Sequence, residues 1–317
     1  MTEISPWHWA GFIVCIVFFI ALDLGLFSRP ARAVGYRQAL RWTGLWVLLA
    51  LLFALALGCW RGRAEALQFS TGYLIELSLS LDNILVIALI FSAFRVSPAL
   101  QHHALAWGIL GALVMRGLMI GVGAALIHRY AWVLYVFGAF LVFTGIKTAF
   151  SRRGAIDLEK QPLVRLARRC FPISADFDGL RFITTMNGRR ALTPLALVVL
   201  LVESSDLLFA FDSVPAVFSV TRNAFIVFTS NVFAILGLRS LYFLLAGALD
   251  YFRYLKFGLA VVLVFVGAKM LVEPHSQTAR WFQWEISNSV SLLTIISILA
   301  VTMALSVAAA RRERRGA

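Results

Sequence analysis

The sequence predicts an all-α integral membrane protein of about nine transmembrane helices. Of its 317 residues, 61% are hydrophobic and 14% are charged, whereas a soluble domain usually carries about 25% charged residues. Apolar runs of roughly 20 residues, the length that crosses a bilayer as a helix, recur along the whole chain. These runs lack the alternation of a barrel strand, so helices are the expected spanning elements.

Nine apolar runs define the predicted spans. No basic residue precedes the first run, which follows Glu3 and ends before Arg29, so we expect a retained helix rather than a cleaved signal peptide. The predicted spans are residues 8–27, 42–60, 68–94, 104–127, 131–150, 194–217, 225–248, 255–273 and 287–309. They divide the chain into a two-helix segment (1–66), a first three-helix unit (67–150), a basic loop (151–193), a second three-helix unit (194–273) and a final helix with a basic tail (274–317).

Basic residues are concentrated in alternate loops. With the N-terminus outside, 21 of the 29 Lys and Arg residues lie on the cytoplasmic side and six on the other, while Arg116 and Arg239 lie inside spans. Positively charged loops face the cytoplasm, which predicts a bacterial inner-membrane protein with a periplasmic N-terminus and a cytoplasmic C-terminus. The net charge of +13 therefore indicates loops that contact anionic lipid headgroups, not nucleic acid.

Spans 3–5 resemble spans 6–8 in three places. Span 3 reads Glu76-Leu-Ser-Leu-Ser-Leu-Asp82-Asn83, and span 6 reads Asp206-Leu-Leu-Phe-Ala-Phe-Asp212-Ser213. Spans 4 and 7 each carry one central arginine, and spans 5 and 8 end in similar segments before Lys147 and Lys269. Because three is an odd number of crossings, the second unit enters from the opposite side. The pattern predicts an inverted repeat, a common plan of secondary transporters, with a site near the midplane.

Spans 3 and 6 contain five acids, although an ionisable group at the membrane centre costs at least about 3 kcal/mol. One interpretation is that buried acid–arginine pairs fix the packing of the helices. Five carboxylates nevertheless outnumber two arginines, and surplus buried carboxylates require a cation. We predict Arg116 and Arg239 as counter-charges, and the following metal ligands: Glu76, Asp82, Asn83, Glu203, Asp206, Asp212 and Asn231.

The predicted ligands are oxygen donors, which suit Mg, Ca and Mn. The five histidines lie near span ends or in loops, unlike the central His or Cys expected for zinc or copper. Six residues on a regular helix are about 9 Å apart and point about 120° apart, so Glu76 and Asp82 cannot bind one ion together on a regular span. Either the helices are interrupted, as Pro215 permits, or acids of both units share the ion.

No enzyme motif is present: the sequence has no Gly-x-Ser-x-Gly, no His-Glu-x-x-His and no phosphate-binding loop. We therefore expect a protein that is not an enzyme and has no permanently bound cofactor. The expected partners are the transported ion and the bilayer.

Four segments resemble the TerC family of the LysE transporter superfamily over about residues 67–271. They are Ser78–Asn83, Trp107–Ala112, Glu203–Ala216 and Thr229–Tyr242. The resemblance implies export of manganese, with tellurite resistance as an indirect phenotype, and it matches the five acids and Asn231 to the family's motif positions. Leu77 departs from relatives that have lysine there. The alternatives are a membrane-protein assembly or insertion factor and an indirect tellurite-resistance factor without transport. The expectation is a proton-coupled Mn²⁺ exporter.

Overall fold

The structure, a computed structural model, describes residues 5–27, 35–150, 165, 169, 171–186, 188–245, 255–273 and 286–316. Nine long helices run through these segments: α1 (Pro6–Phe27), α2 (Tyr36–Arg61), α3 (Arg63–Ala93), α4 (Pro98–Arg129), α5 (Val133–Phe150), α6 (Pro194–Phe218), α7 (Ala224–Leu245), α8 (Leu255–Val272) and α9 (Asn288–Gly316).

Helices α2 to α9 are each long and apolar enough to cross a membrane. The apolar stretch found in α1, Pro6–Ala21, is shorter than a crossing length. The prediction of a multi-pass helical protein is therefore confirmed, whereas the ninth crossing stays a prediction.

Several helices extend beyond the apolar runs that predicted them. Helix α2 begins at Tyr36, and α4 runs from Pro98 to Arg129. Proline is favoured at the first position of a helix, so the Ser97-Pro98 pair starts α4 outside its apolar part. Thr193 and Pro194 start α6 in the same way, with the Thr193 hydroxyl accepting a hydrogen bond from the Ala196 amide. Hydropathy locates only the segment that lies in lipid, not the end of the helix.

A short β-hairpin corrects the expectation of an all-α chain. Strands β1 (Ile183–Met186) and β2 (Arg189–Leu192) pair antiparallel within the predicted basic loop. The loop prediction overlooked the β-branched residues of Ile-Thr-Thr-Met, which favour a strand, and the Asn187-Gly188 pair, a typical tight-turn signal; Gly188 has a φ of +74°. Residues 151–164 of the predicted basic loop, which include several of its basic residues, lie outside the described residues.

The first two helices of each three-helix unit form the centre of the molecule. Helix α3 packs on α6 and α7, and α4 packs on the same two helices. Helix α7 is the most deeply buried of the eight described helices that could cross a membrane: 83% of its most apolar segment is buried inside the protein. Helices α1 and α2 cover one side of this group, and α9 covers another against α3 and α8.

The third helices of the two units, α5 and α8, pack against each other along their length. A Cβ atom added at Gly267 would lie 2.7 Å from the carbonyl oxygen of Gly138, and one added at Gly145 would lie 2.9 Å from that of Ala260. Small residues allow this close approach of two backbones, which is how helices associate in a membrane. We call this contact the α5–α8 seam.

Candidate functional site

Arg116 organises the polar centre of the molecule. Arg116 lies in the middle of α4 and is 1% exposed. Its side chain extends from α4 toward α3, α6 and α7. The guanidinium group contacts residues on all three of these helices.

Asp206 of α6 is the main partner of Arg116. Nη2 of the arginine donates to Oδ1 of Asp206 at 2.9 Å, and Nε donates to Oδ2 at 3.3 Å. Such two-point pairing of guanidinium and carboxylate is both strong and geometrically specific. The amide of Asn83 on α3 donates to the same Oδ1 at 3.1 Å, so Asp206 holds groups from two neighbouring helices.

The third nitrogen, Nη1 of Arg116, faces α3 and α7. It forms an ion pair with Oε1 of Glu76, whose side chain is wholly buried. It also donates to Oδ1 of Asn231 at 3.1 Å and to the hydroxyl of Ser213 at 3.3 Å. We call Glu76, Asn83, Arg116, Asp206, Ser213 and Asn231 the Arg116 cluster.

The Arg116 cluster has more acceptors than donors. Its two carboxylates and one guanidinium carry a formal charge of −1. Three buried oxygens make no hydrogen bond: Oε2 of Glu76, Oδ1 of Asn83 and the hydroxyl of Ser80, one turn from each on α3. Buried polar groups are rarely left unsatisfied, and a surplus of oxygen acceptors is what a hard cation requires.

A small cavity borders this surplus. It has a volume of about 10 Å³ and is lined by Asn83 and Asp206 together with apolar residues of α3, α4, α6 and α7. That volume has room for about one water molecule. Beside Asn83 and Asp206 the packing therefore leaves little free space.

Glu203 lies one turn before Asp206, on the side of α6 that faces α4. A Cβ atom added at Gly111 would overlap its carboxylate, so glycine is needed where α4 passes this acid. Oε2 of Glu203 is buried and makes no hydrogen bond. The sequence placed Glu203 among the acids but did not identify Gly111, whose only signal is its place in the segment Trp107–Ala112.

The remaining predicted residues lie outside the Arg116 cluster. Asp212 is half-buried and lies near Thr144 and Lys147, both on α5. Asp82 is half-buried on another face of α3 than Glu76, and Arg239 is buried in α7.

Helices α3 and α6 are continuous through their acidic motifs. Helix α6 passes Pro215 without a break, and the Ser219 amide bonds to the Pro215 carbonyl. The sequence left two geometries open, interrupted helices or an ion shared by acids of both units. Helices α3 and α6 are not interrupted. Acids of both units meet instead, since Glu76 and Asp206 share Arg116.

In the described part of the chain, no three His, Cys, Asp or Glu side chains are grouped so that they could hold a metal ion. The acids that the sequence joined in one ligand set are distributed over several places, and the central pair engages Arg116. This arrangement holds an arginine where the sequence predicted a metal.

A larger polar cavity of about 470 Å³ opens at the helix ends that the charge pattern assigns to the periplasm. Its lining includes Gln68, Phe218, Lys269, Glu273 and Asn288. The buried ammonium of Lys269 lies 3.4 Å from Glu273 Oε1 and donates to Asn288 Oδ1 at 3.4 Å. The sequence identified Lys269 as the end of a repeated segment and as one of the six basic residues on the predicted periplasmic side.

Fold and site together define a multi-pass helical membrane protein with a buried ionisable cluster at the meeting point of two three-helix units. The chain belongs to the Integral membrane protein TerC family, whose model matches residues 61–314. The match extends beyond the 67–271 of the resembling segments and includes most of α9.

Curated relatives cover most of the chain. A membrane protein from Myxococcus xanthus, named STKORF319 and uncharacterized, is 53% identical over 84% of this chain and 84% of its own. A relative from Escherichia coli (strain K12), with the provisional name membrane-bound redox modulator Alx, is 45% identical over 94% and 93%. An uncharacterized membrane protein from Rickettsia bellii is 33% identical over 91% and 96%. No solved structure matches the chain.

Proposed function

We propose that this protein is a secondary transporter that exports a divalent metal ion, with Mn²⁺ as the expected cargo and protons as the coupling ion. The observation that carries the proposal is the convergence of Glu76 and Asp206, one acid from each three-helix unit, in a buried centre with unsatisfied oxygen acceptors. Carboxylate, amide and hydroxyl oxygens are the donors that Mn²⁺ accepts.

The inverted repeat is part of this proposal, and the α5–α8 seam supports it. Gly145 and Gly267 occupy corresponding positions in the repeated segments, as do Gly138 and Ala260. Gly267 approaches Gly138, and Gly145 approaches Ala260, which is the reciprocal pattern of contacts around a two-fold axis. The pairing of α3 with α7 and of α4 with α6 is reciprocal in the same sense.

Charge favours proton coupling. Glu76, Glu203, Asp206 and Arg116 together carry a formal charge of −2, which one dication or two protons would neutralise. Export against the membrane potential costs about 2.3 kcal/mol per charge per 100 mV, and exchange for two protons removes that electrical cost.

Transport in reconstituted vesicles tests the proposal. We expect purified protein in liposomes to move Mn²⁺ when a pH gradient is applied, and cells lacking the gene to hold more manganese under manganese load. Protein-free liposomes and liposomes with Glu76→Gln are the controls. Equal manganese contents together with no gradient-dependent Mn²⁺ movement would reject transport and favour an assembly factor.

The proposed orientation places the N-terminus in the periplasm and the segment 171–193 in the cytoplasm of an inner-membrane protein. Single cysteines at Ser5 and Ser174, in a background without Cys15, Cys59 and Cys170, test it in intact cells. We expect an impermeant thiol reagent to label position 5 and not position 174. The reverse labelling pattern would show that the protein has the opposite orientation.

A further inference from the structure

Arg116 occupies the place that a cation would take between Glu76 and Asp206. Its guanidinium makes a two-point contact with Asp206, an ion pair with Glu76 and hydrogen bonds to Ser213 and Asn231. The neighbouring cavity has room for about one water molecule. A dication therefore cannot reach both carboxylates while the guanidinium stays in place, because space and like charge both oppose it.

We infer that Arg116 is a tethered competitor of the transported ion, and that Glu203 receives its guanidinium group when the metal binds. The inference rests on the proposed transport and adds the step by which the site is opened. In one arrangement Arg116 contacts Glu76 and Asp206. In the other, the metal takes these two acids and the oxygens of Asn83 and Ser80, and Arg116 contacts Glu203.

The position of Glu203 fits the receiving role. It precedes Asp206 by three residues, so the two acids share a face of α6. Glu203 lies against α4 at Gly111, five residues or about 1.4 turns before Arg116 on that helix, in the direction in which a helical side chain leans. Its buried Oε2 has no hydrogen-bond partner.

Charge supports the exchange as well. With the metal on Glu76 and Asp206, two positive charges meet two negative ones. With Arg116 on Glu203, one positive charge meets one negative. Every ionised group would then have an opposite charge beside it, which a low-dielectric interior requires. Without this movement the guanidinium would face a dication across shared ligands.

The first test compares Mn²⁺ affinity of the purified full-length protein with that of Arg116→Gln. If Arg116 blocks the site in nine molecules of ten, the apparent Mn²⁺ affinity of the wild type is about tenfold weaker than that of the open site. We therefore expect Arg116→Gln to bind Mn²⁺ at least about tenfold more tightly than the wild type. Arg61→Gln is the matched control, since it also removes an arginine from a two-point pair, with Glu65, and should leave the affinity within about twofold.

The second test separates a receiving acid from a metal ligand. We expect Glu203→Gln to weaken Mn²⁺ binding about tenfold when Arg116 is present and to have no effect in the Arg116→Gln background. If Glu203 were a metal ligand, Glu203→Gln would weaken Mn²⁺ binding both with Arg116 present and in the Arg116→Gln background. Should Arg116→Gln not fold, electron paramagnetic resonance of bound Mn²⁺ decides: weaker binding by Glu203→Gln with an unchanged spectrum supports the exchange.

Any of the following results would overturn the exchange. One is Mn²⁺ affinity in folded Arg116→Gln that equals or falls below that of the wild type. Another is equal weakening by Glu203→Gln in both backgrounds, and the last is unchanged affinity or an altered Mn²⁺ spectrum in Glu203→Gln. If wild-type protein binds and moves Mn²⁺ in these cases, only the exchange fails. Absence of Mn²⁺ binding to the wild type would remove the proposed function as well.

Discussion

The Arg116 cluster and the α5–α8 seam lie in the same membrane protein but are built on opposite principles. The cluster joins α3, α4, α6 and α7 through charged and polar side chains, and it leaves buried oxygens unsatisfied. The seam joins two helices through glycines and apolar side chains, with backbones in direct contact.

This difference indicates which region can change its contacts. Close packing of backbones has one favourable arrangement, since any displacement opens a gap or creates an overlap. A cluster with surplus acceptors has more than one way to pair its charges. We therefore regard the seam as the fixed frame and the Arg116 cluster as the part that exchanges partners.

The largest expected effect belongs to the cluster. Asp206→Asn removes the charge that pairs with Arg116. Removing one partner of a buried ion pair lowers the free energy of unfolding by about 3–5 kcal/mol. We expect Mn²⁺ movement in liposomes to fall to background and the thermal unfolding midpoint to drop.

Asp178→Asn is the matched control for Asp206→Asn. It changes the same residue type in a partly exposed pair with Arg181 and should leave both values near those of the wild type. Wild-type transport rates in Asp206→Asn would show that the cluster is structural.

The seam provides the next effect. Gly267→Val places a side chain against the Gly138 carbonyl and the Val142 amide, so α5 and α8 must separate. Overpacking costs about 1–3 kcal/mol, occasionally more, and we expect a lower unfolding midpoint in detergent, measured by thermal unfolding of the purified protein. Gly121→Val is the control, because nothing lies within 4 Å of a Cβ atom there. Equal midpoints for the two variants would mean that the seam is not tightly packed.

The smallest effect concerns Asp212, which lies between the two regions beside Thr144 and Lys147 of α5. We expect Asp212→Asn to slow transport about tenfold, corresponding to about 1.4 kcal/mol, while Mn²⁺ affinity stays within about twofold. The reason is that Asp212 lies beside α5 and outside the Arg116 cluster. Measurements of initial transport rate and equilibrium Mn²⁺ binding check this. Loss of binding would place Asp212 among the ion's ligands, and unchanged transport would exclude it from the pathway.

Much of the architecture could be predicted from the sequence because a bilayer imposes strong constraints. Helix is the only local structure here that satisfies its own backbone in lipid, so apolar length alone located α2 to α9 to within several residues. The β-hairpin was missed because its strands are four residues long and lie outside the membrane, where that constraint does not apply. The correspondence between spans 3–5 and 6–8 rests on ordered residue types alone, and the inverted repeat stays a prediction.

Which acids meet was decided by the tertiary structure. A helix turns 100° per residue, so Glu76 and Asp82, or Asp206 and Asp212, face different neighbours although they share a motif. Arg116 could pair with any of five acids as far as the sequence shows; its choice of Glu76 and Asp206 depends on contacts across three helices, 40 and 90 residues away along the chain. The sequence by itself determined which residues carry charge into the membrane. Only the packing of α3, α4, α6 and α7 decided that an arginine lies between two of them.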